Sequence, residues 1–264
     1  MWWSKPHCAV LLPDRIELSR AAGRKGARTR DAIALVPAAA TPWWRTALSA
    51  LESAVAPGER WHVILGGDTV KWLVVPWSDA LATPRELQAY LRARVRATYG
   101  DIADGWRIAH SAPRPGSPLL VGALASDLLT ALHEGFGRAK GRVAAVRPLY
   151  SMQFDAWRRR MHGASSWFLL AESGRLSVGR LIDDRFIAMH GEPTPLPWWQ
   201  AAPALMQQMT LATSTPATGT VYCLHEGHAA PGDVDLSAWG AWVNLDPVAR
   251  FGTDARACPW VAAC

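Results

Sequence analysis

The segment WFLLAESGRLSVGRLIDDRFIAM, Trp167 to Met189, reads as three short strands joined by two tight turns. The strands are Trp167 to Leu170, Arg175 to Ile182 and Phe186 to Met189, and the turns carry Ser173-Gly174 and Asp183-Asp184. Asp183 and Asp184 would point to opposite faces of a strand, so the pair reads as a turn rather than as two cooperating acids. A shorter version of the same phrase stands near the start, AVLLPDRIELSR at Ala9 to Arg20, with Leu12-Pro13-Asp14-Arg15 as its turn. The repetition predicts a duplicated, two-lobed fold.

Outward from these hairpins the elements alternate. After the first hairpin come a strand at Ala32 to Val36 and a helix at Pro42 to Val55, with Thr41 as its N-cap and apolar residues at four-residue spacing. RWHVILGGDTVKWLVVPW reads as a hairpin turning at Gly66-Gly67-Asp68. Thr83 caps a helix with Pro84 at its start and Leu87, Tyr90, Leu91 and Val95 on one side. Strands at Trp106 to Ser111 and Leu119 to Ala125, a helix at Ser126 to Gly137 and a strand at Val143 to Val146 lead to a connecting helix, LYSMQFDAWRRRM. The lobe boundary is placed there, giving lobes 1–150 and 151–264. The second lobe continues with a helix starting near Pro203 and strands at Thr220 to His225 and Ala241 to Leu245. Without a regular βαβ rhythm, the pattern predicts an α/β fold with mixed sheets.

Composition narrows the classes. Half of the 264 residues are hydrophobic and 19% are charged, as in a folded globular protein. No apolar run reaches the roughly 20 residues that cross a bilayer, and MWWSKPHC lacks the order of a secretory signal, so a soluble cytoplasmic chain is expected. The four cysteines form no CxxC pair. Much of the +6 net charge lies in Arg15 to Arg30, whose AAGRKGAR centre reads as a mobile hairpin loop, and in Arg158-Arg159-Arg160. No aromatic ladder is interleaved with either cluster, so both read as solvated faces and nucleic acid is not an expected partner. His225 and His228 have no third ligand at a recognisable spacing, Gly66-Gly67-Asp68 is followed by no GKS, and Ser166 lies outside any GxSxG. No catalytic or metal-ligating residue is assigned.

Three stretches together carry a likeness. VILGGDTVKWLVVPW with ATPRELQAYLRARVRATYGDIADGWRIAH, then LLVGALASDLLTALHEGFGRAKGRVAAVRPLYSM, then WFLLAESGRLSVGRLIDDRFIAMHG follow one order of elements. In that order the chain resembles the actin-like proteins of type IV pilus and type II secretion assembly, the PilM and GspL families. The resemblance implies an actin-like, ribonuclease-H-like fold of two lobes with duplicated subdomains. It also implies a scaffold at the inner face of the inner membrane, peripheral through its partner. That partner would be the cytoplasmic tail of a single-span membrane protein, an assembly ATPase, or both. The secretion family continues into a membrane span, and in both families the helix after the hairpin is usually acidic where this one carries Arg85, Arg92, Arg94 and Arg96.

In nucleotide-binding relatives the resemblance places an Asp-x-Gly at the opening turn of each lobe, where glycine lets N–H groups approach phosphate and the carboxylate holds water around Mg²⁺. The first turn here has no glycine, and Pro13 removes a donor. The second keeps Glu172, Ser173 and Gly174, a residual cofactor-binding set. ATP and Mg²⁺ are therefore disfavoured and no cofactor is expected. The competing expectation, a nucleotide-binding ATPase or small-molecule kinase of the same fold, needs both turns complete.

Tryptophan, at 15 residues, is the compositional outlier, with doublets at Trp2-Trp3, Trp43-Trp44 and Trp198-Trp199. Because Trp198-Trp199 follow the Pro-rich GEPTPLP, they are expected as an exposed pair for partner docking. Arg24, Lys25 and Arg28 are expected to supply electrostatic attraction at its edge.

Overall fold

The computed structural model describes residues 6–22, 27–36, 41–81, 83–161, 163–216, 218–225 and 236–245. Two five-stranded sheets share one plan. The first holds β1 (His7–Leu11), β2 (Arg15–Ala22), β3 (Ala27–Ala34), β4 (Arg60–Leu65) and β8 (Arg142–Pro148) in the order β3-β2-β1-β4-β8. The second holds β9 (Ser165–Glu172), β10 (Arg175–Ile182), β11 (Arg185–Pro193), β12 (Thr220–His225) and β13 (Trp242–Leu245) in the order β11-β10-β9-β12-β13. In each, the first three strands run antiparallel and the last two lie parallel to the first. The two hairpins singled out in the sequence hold equivalent positions in these sheets, so the duplication is real.

Strand periodicity sorts the side chains into separate cores. Ala9 and Leu11 point to the face covered by α1 (Trp43–Ala54) and α3 (Ser126–Arg138), where Leu51, Trp61, Leu128 and Phe136 are buried. Cys8 and Val10, one step out of phase, point the other way. The second sheet repeats the split, with Trp167, Leu169 and Ala171 packing under α5 (Trp198–Thr213) and Phe168 and Leu170 facing the first sheet. Between the sheets, α4 (Leu149–Trp157) adds Leu149 and the fully enclosed Tyr150, whose hydroxyl donates to the Phe168 carbonyl at 3.0 Å. Burial drives the Tyr150 pKa far upward, so it stays a neutral donor.

The segment between β4 and β8 departs from the expected hairpin. β4 lies between β1 and β8 with both edges occupied, while β5 (Val70–Val75) belongs to a third sheet, β5-β7-β6. Its partners are β7 (Leu119–Ala125) and β6 (Trp106–His110). Gly66-Gly67-Asp68 therefore links two sheets rather than turning a hairpin. On this small sheet lies α2 (Pro84–Tyr99), started by a full capping box in which the Thr83 hydroxyl accepts from the Glu86 N–H. Its Leu87, Leu91 and Val95 cover Val75, Leu119 and Val121.

Further boundaries also move. The strands run further into the basic segment than the AAGRKGAR loop reading allowed, with Arg20 opposite Thr29 and Ala22 opposite Ala27. Arg20 is anchored, donating to the Ala54 carbonyl at 2.8 Å over the Trp61 ring. The N-cap of α1 is Pro42, with no side-chain hydrogen bond, instead of Thr41. α5 starts at Trp198 and carries Pro203 inside it.

Candidate functional site

In open α/β sheets ligands sit beyond the carboxyl ends of parallel strands, where the strand order reverses. In the first sheet that place lies between β1 and β4, whose ends are in register at Leu11 and Leu65. Gly66 follows, its N–H donating to the Leu11 carbonyl at 2.9 Å. The turn from β9 to β10 comes up against it from the second sheet. There the Glu172 carboxylate accepts the Gly67 N–H at 2.7 Å, a bond spanning 105 residues. The junction is tight, since a Cβ on Gly66 would lie 2.5 Å from the Glu172 Oε1 and 2.6 Å from the Leu12 Cδ2. Gly67, at φ +63°, sits against Pro13 and the Trp43 ring.

These contacts use the groups a phosphate would need. The Leu12 N–H bonds the Arg15 carbonyl at 2.9 Å, Pro13 has none to offer, and the Gly66 and Gly67 donors are taken by Leu11 and Glu172. Asp14, the carboxylate of the first turn, is gripped by the Arg15 guanidinium at 2.9 Å, and Arg15 also holds Glu17 at 2.9 Å. A carboxylate already paired with arginine is a poor holder of the water shell of Mg²⁺. Of the second turn, Ser173 is exposed and Gly174, at φ +70°, makes the positive-φ corner of an ordinary hairpin. Glu172, Ser173 and Gly174 are thus contiguous, and the carboxylate faces Gly67.

The expected exposed pair is corrected by the helix. As the first residues of α5, Trp198 and Trp199 lie about 100° apart around the axis and can take different environments. Trp198 is 8% exposed, stacked on His225 at 5.5 Å and on Trp242 at 5.8 Å, while Trp199 is half-buried and meets it edge-on at 5.7 Å. Trp198 therefore offers no docking face. Arg24 and Lys25 lie outside the described residues, as do Glu226 and His228, and Arg28 is described only as backbone in β3.

A second concave region was not foreseen. A cleft of about 500 Å³ opens between the β6–β7 loop, the end of α4 and the β10–β11 turn, bringing Arg158 and Arg159 beside Asp184 and Arg185. Asp183 and Asp184 form that turn with φ of 49° and 61°, as the sequence indicated. The run of arginines after Trp157 was the available signal, but its neighbours come from other segments.

No family description and no curated protein sequence matches the chain. Solved structures do. The cytoplasmic domain of EpsL, an inner membrane component of the type II secretion system of Vibrio cholerae, is similar over 92% of this chain and 90% of its own, with a TM-score of 0.61 and 10% identity. A PilM-PilN type IV pilus biogenesis complex is similar over 92% and 89%, with a TM-score of 0.62 and 11% identity. A Bacteroides thetaiotaomicron protein of actin-like ATPase fold and unknown function is similar over 85% and 82%, with a TM-score of 0.55 and 6% identity. The chain has the actin-like fold. In actin-like terms, the β1–β2 turn, the β9–β10 turn and Gly66-Gly67 line the junction of the two duplicated sheets, and here that junction is bridged by Glu172. Among the described residues no helix is long and apolar enough to cross a membrane.

Proposed function

We propose that this chain is a non-enzymatic actin-like scaffold of a type IV pilus or type II secretion-like inner-membrane platform. It binds the cytoplasmic tail of a single-span membrane protein, an assembly ATPase, or both, at the inner face of the membrane. One observation carries the non-enzymatic part: the Glu172 carboxylate occupies the Gly67 N–H at 2.7 Å, in the place where an actin-like nucleotide site needs free backbone donors. Pro13 and the Arg15–Asp14 pair support it. ATP and Mg²⁺ are not cofactors in this reading. The assembly role is supported by the shared fold with the EpsL domain and with the PilM-PilN complex, both over 92% of the chain. Arg24, Lys25 and Arg28, close together in the sequence, are kept in this reading as a basic cluster suited to an anionic membrane surface.

The test is affinity capture with the purified chain. The bait partners are the cytoplasmic tails of single-span membrane proteins, and the assembly ATPases, encoded beside it. Saturable binding of either is expected without nucleotide. Binding of neither, or binding only when ATP is added, overturns the reading.

A further inference from the structure

The cleft of about 500 Å³ lies at the far end of β10 from Glu172, about 25 Å away at about 3.3 Å per residue, and is separate from the bridged junction. Its volume is in the range of sites that enclose a ligand or a few side chains. The floor is apolar, with Phe154 from α4, Met161 from the segment after it, and Leu181 and Phe186 from the second sheet. Around it stand four arginines on three different elements: Arg114 on the β6–β7 loop, Arg158 and Arg159 after α4, and Arg185 at the start of β11. Against them the lining has Asp155 and Asp184, and only Arg158 is held, by Asp155 at 3.7 Å. Among the described residues Arg114, Arg159 and Arg185 form no ion pair. Ser117 adds a buried hydroxyl, 5% exposed, that lines the cleft without a hydrogen-bond partner among the described residues.

We propose that this cleft docks an acidic peptide segment of a partner protein, one that carries Asp or Glu residues around one or two apolar side chains. The apolar floor takes the anchor, and the arginines, spread around the rim, pair carboxylates in bidentate fashion. A lone phosphate would use the guanidinium groups and leave the floor empty, and the arginines are distributed over separate elements instead of converging on one point. The proposal deepens the scaffold reading and rests on it for the kind of protein that carries the segment.

The test uses the full chain against an array of peptides of about eight residues, mixing Asp and Glu with Leu, Ile, Phe or Met, beside counterparts with every acid replaced by Lys. The best binder is then titrated by fluorescence anisotropy. The variant Arg158→Glu/Arg185→Glu is expected to weaken it about tenfold or more, while Arg92→Glu/Arg94→Glu, an equal charge change on the exposed side of α2, changes it less than about twofold. Replacing the peptide's apolar residues by Ser is expected to weaken binding about fivefold or more. The proposal is overturned if acidic peptides bind no better than their Lys counterparts. It is overturned equally if both arginine variants weaken binding alike, or if inorganic phosphate displaces the peptide and the apolar residues do not matter. Capture of a neighbouring tail unaffected by the cleft variant would remove this site and leave the scaffold reading standing.

Discussion

Replacing Trp198 by alanine should cost stability rather than binding. The indole is 8% exposed and packs among Trp167, Ala202, Leu205 and Val221 under α5, stacked on His225 and Trp242. A buried tryptophan removes about 150–250 Å² from water, worth about 4–6 kcal/mol at about 25 cal/mol per Å². Alanine keeps part of that, and large-to-small core changes of this kind lose about 3–5 kcal/mol. For a chain of this size each kcal/mol lowers Tm by about 2–4 °C, so Trp198→Ala should melt about 6–20 °C below wild type. Trp199→Ala, removing a half-buried ring, should cost about 1 kcal/mol. Thermal unfolding followed by circular dichroism separates the two. A fall of less than about 2 °C for Trp198→Ala would refute the packing argument and restore Trp198 as a surface residue.

Three further outcomes follow from particular contacts. Gly179→Ala should destabilise by about 1–3 kcal/mol, because a Cβ there meets the Tyr150 hydroxyl and the Phe186 ring inside the central core; denaturant titration reads this as a lower midpoint. Glu172→Ala should lose about 1–2 kcal/mol from the bond to Gly67 without creating nucleotide binding, since Pro13 remains; thermal melting with and without ATP checks both halves. The hydrogen bonds from Arg138 hold the Glu52 carboxyl below its usual pKa, so the unfolded chain binds that proton more readily than the folded one. The pair's contribution is present above the ordinary carboxylate range and is lost as pH falls through the lowered value, so the stability gap between wild type and Glu52→Gln should close in acid melts.

What the sequence disclosed was local. The three strands from Trp167 to Met189 and the capping box of α2 are written in contiguous residues, by turn chemistry at Gly174 and Asp183-Asp184 and by Thr83 with Glu86. Strand β12 has the bounds, Thr220 to His225, that the sequence indicated. What it withheld was pairing. VILGGDTVKWLVV has the pattern of a hairpin, yet a run of buried residues cannot say whether its neighbour is the next strand or one far along the chain, and β4 found β1 and β8. The glycines and charges of AAGRKGAR suggested a loop over its whole length, whereas backbone pairing of β2 with β3 reaches Ala22 and Ala27 without depending on them. Two prolines around Trp198 argued for a loop, and the helix begins there because Trp198, Ala201 and Ala202 pack onto the second sheet. The bridge from Glu172 to Gly67 and the cleft at Arg158 each join segments distant in sequence, and no short-range pattern encodes either.

Titration of the purified chain with ATP and Mg²⁺ by isothermal calorimetry tests the central claim most directly, because the proposed scaffold reading rests on the bridged junction at Glu172, Gly67 and Pro13. No saturable heat is expected up to about 1 mM nucleotide, where binding would be worth only about −4 kcal/mol. A dissociation constant near 1 μM, about −8 kcal/mol, would require a working phosphate clamp and contradict the account.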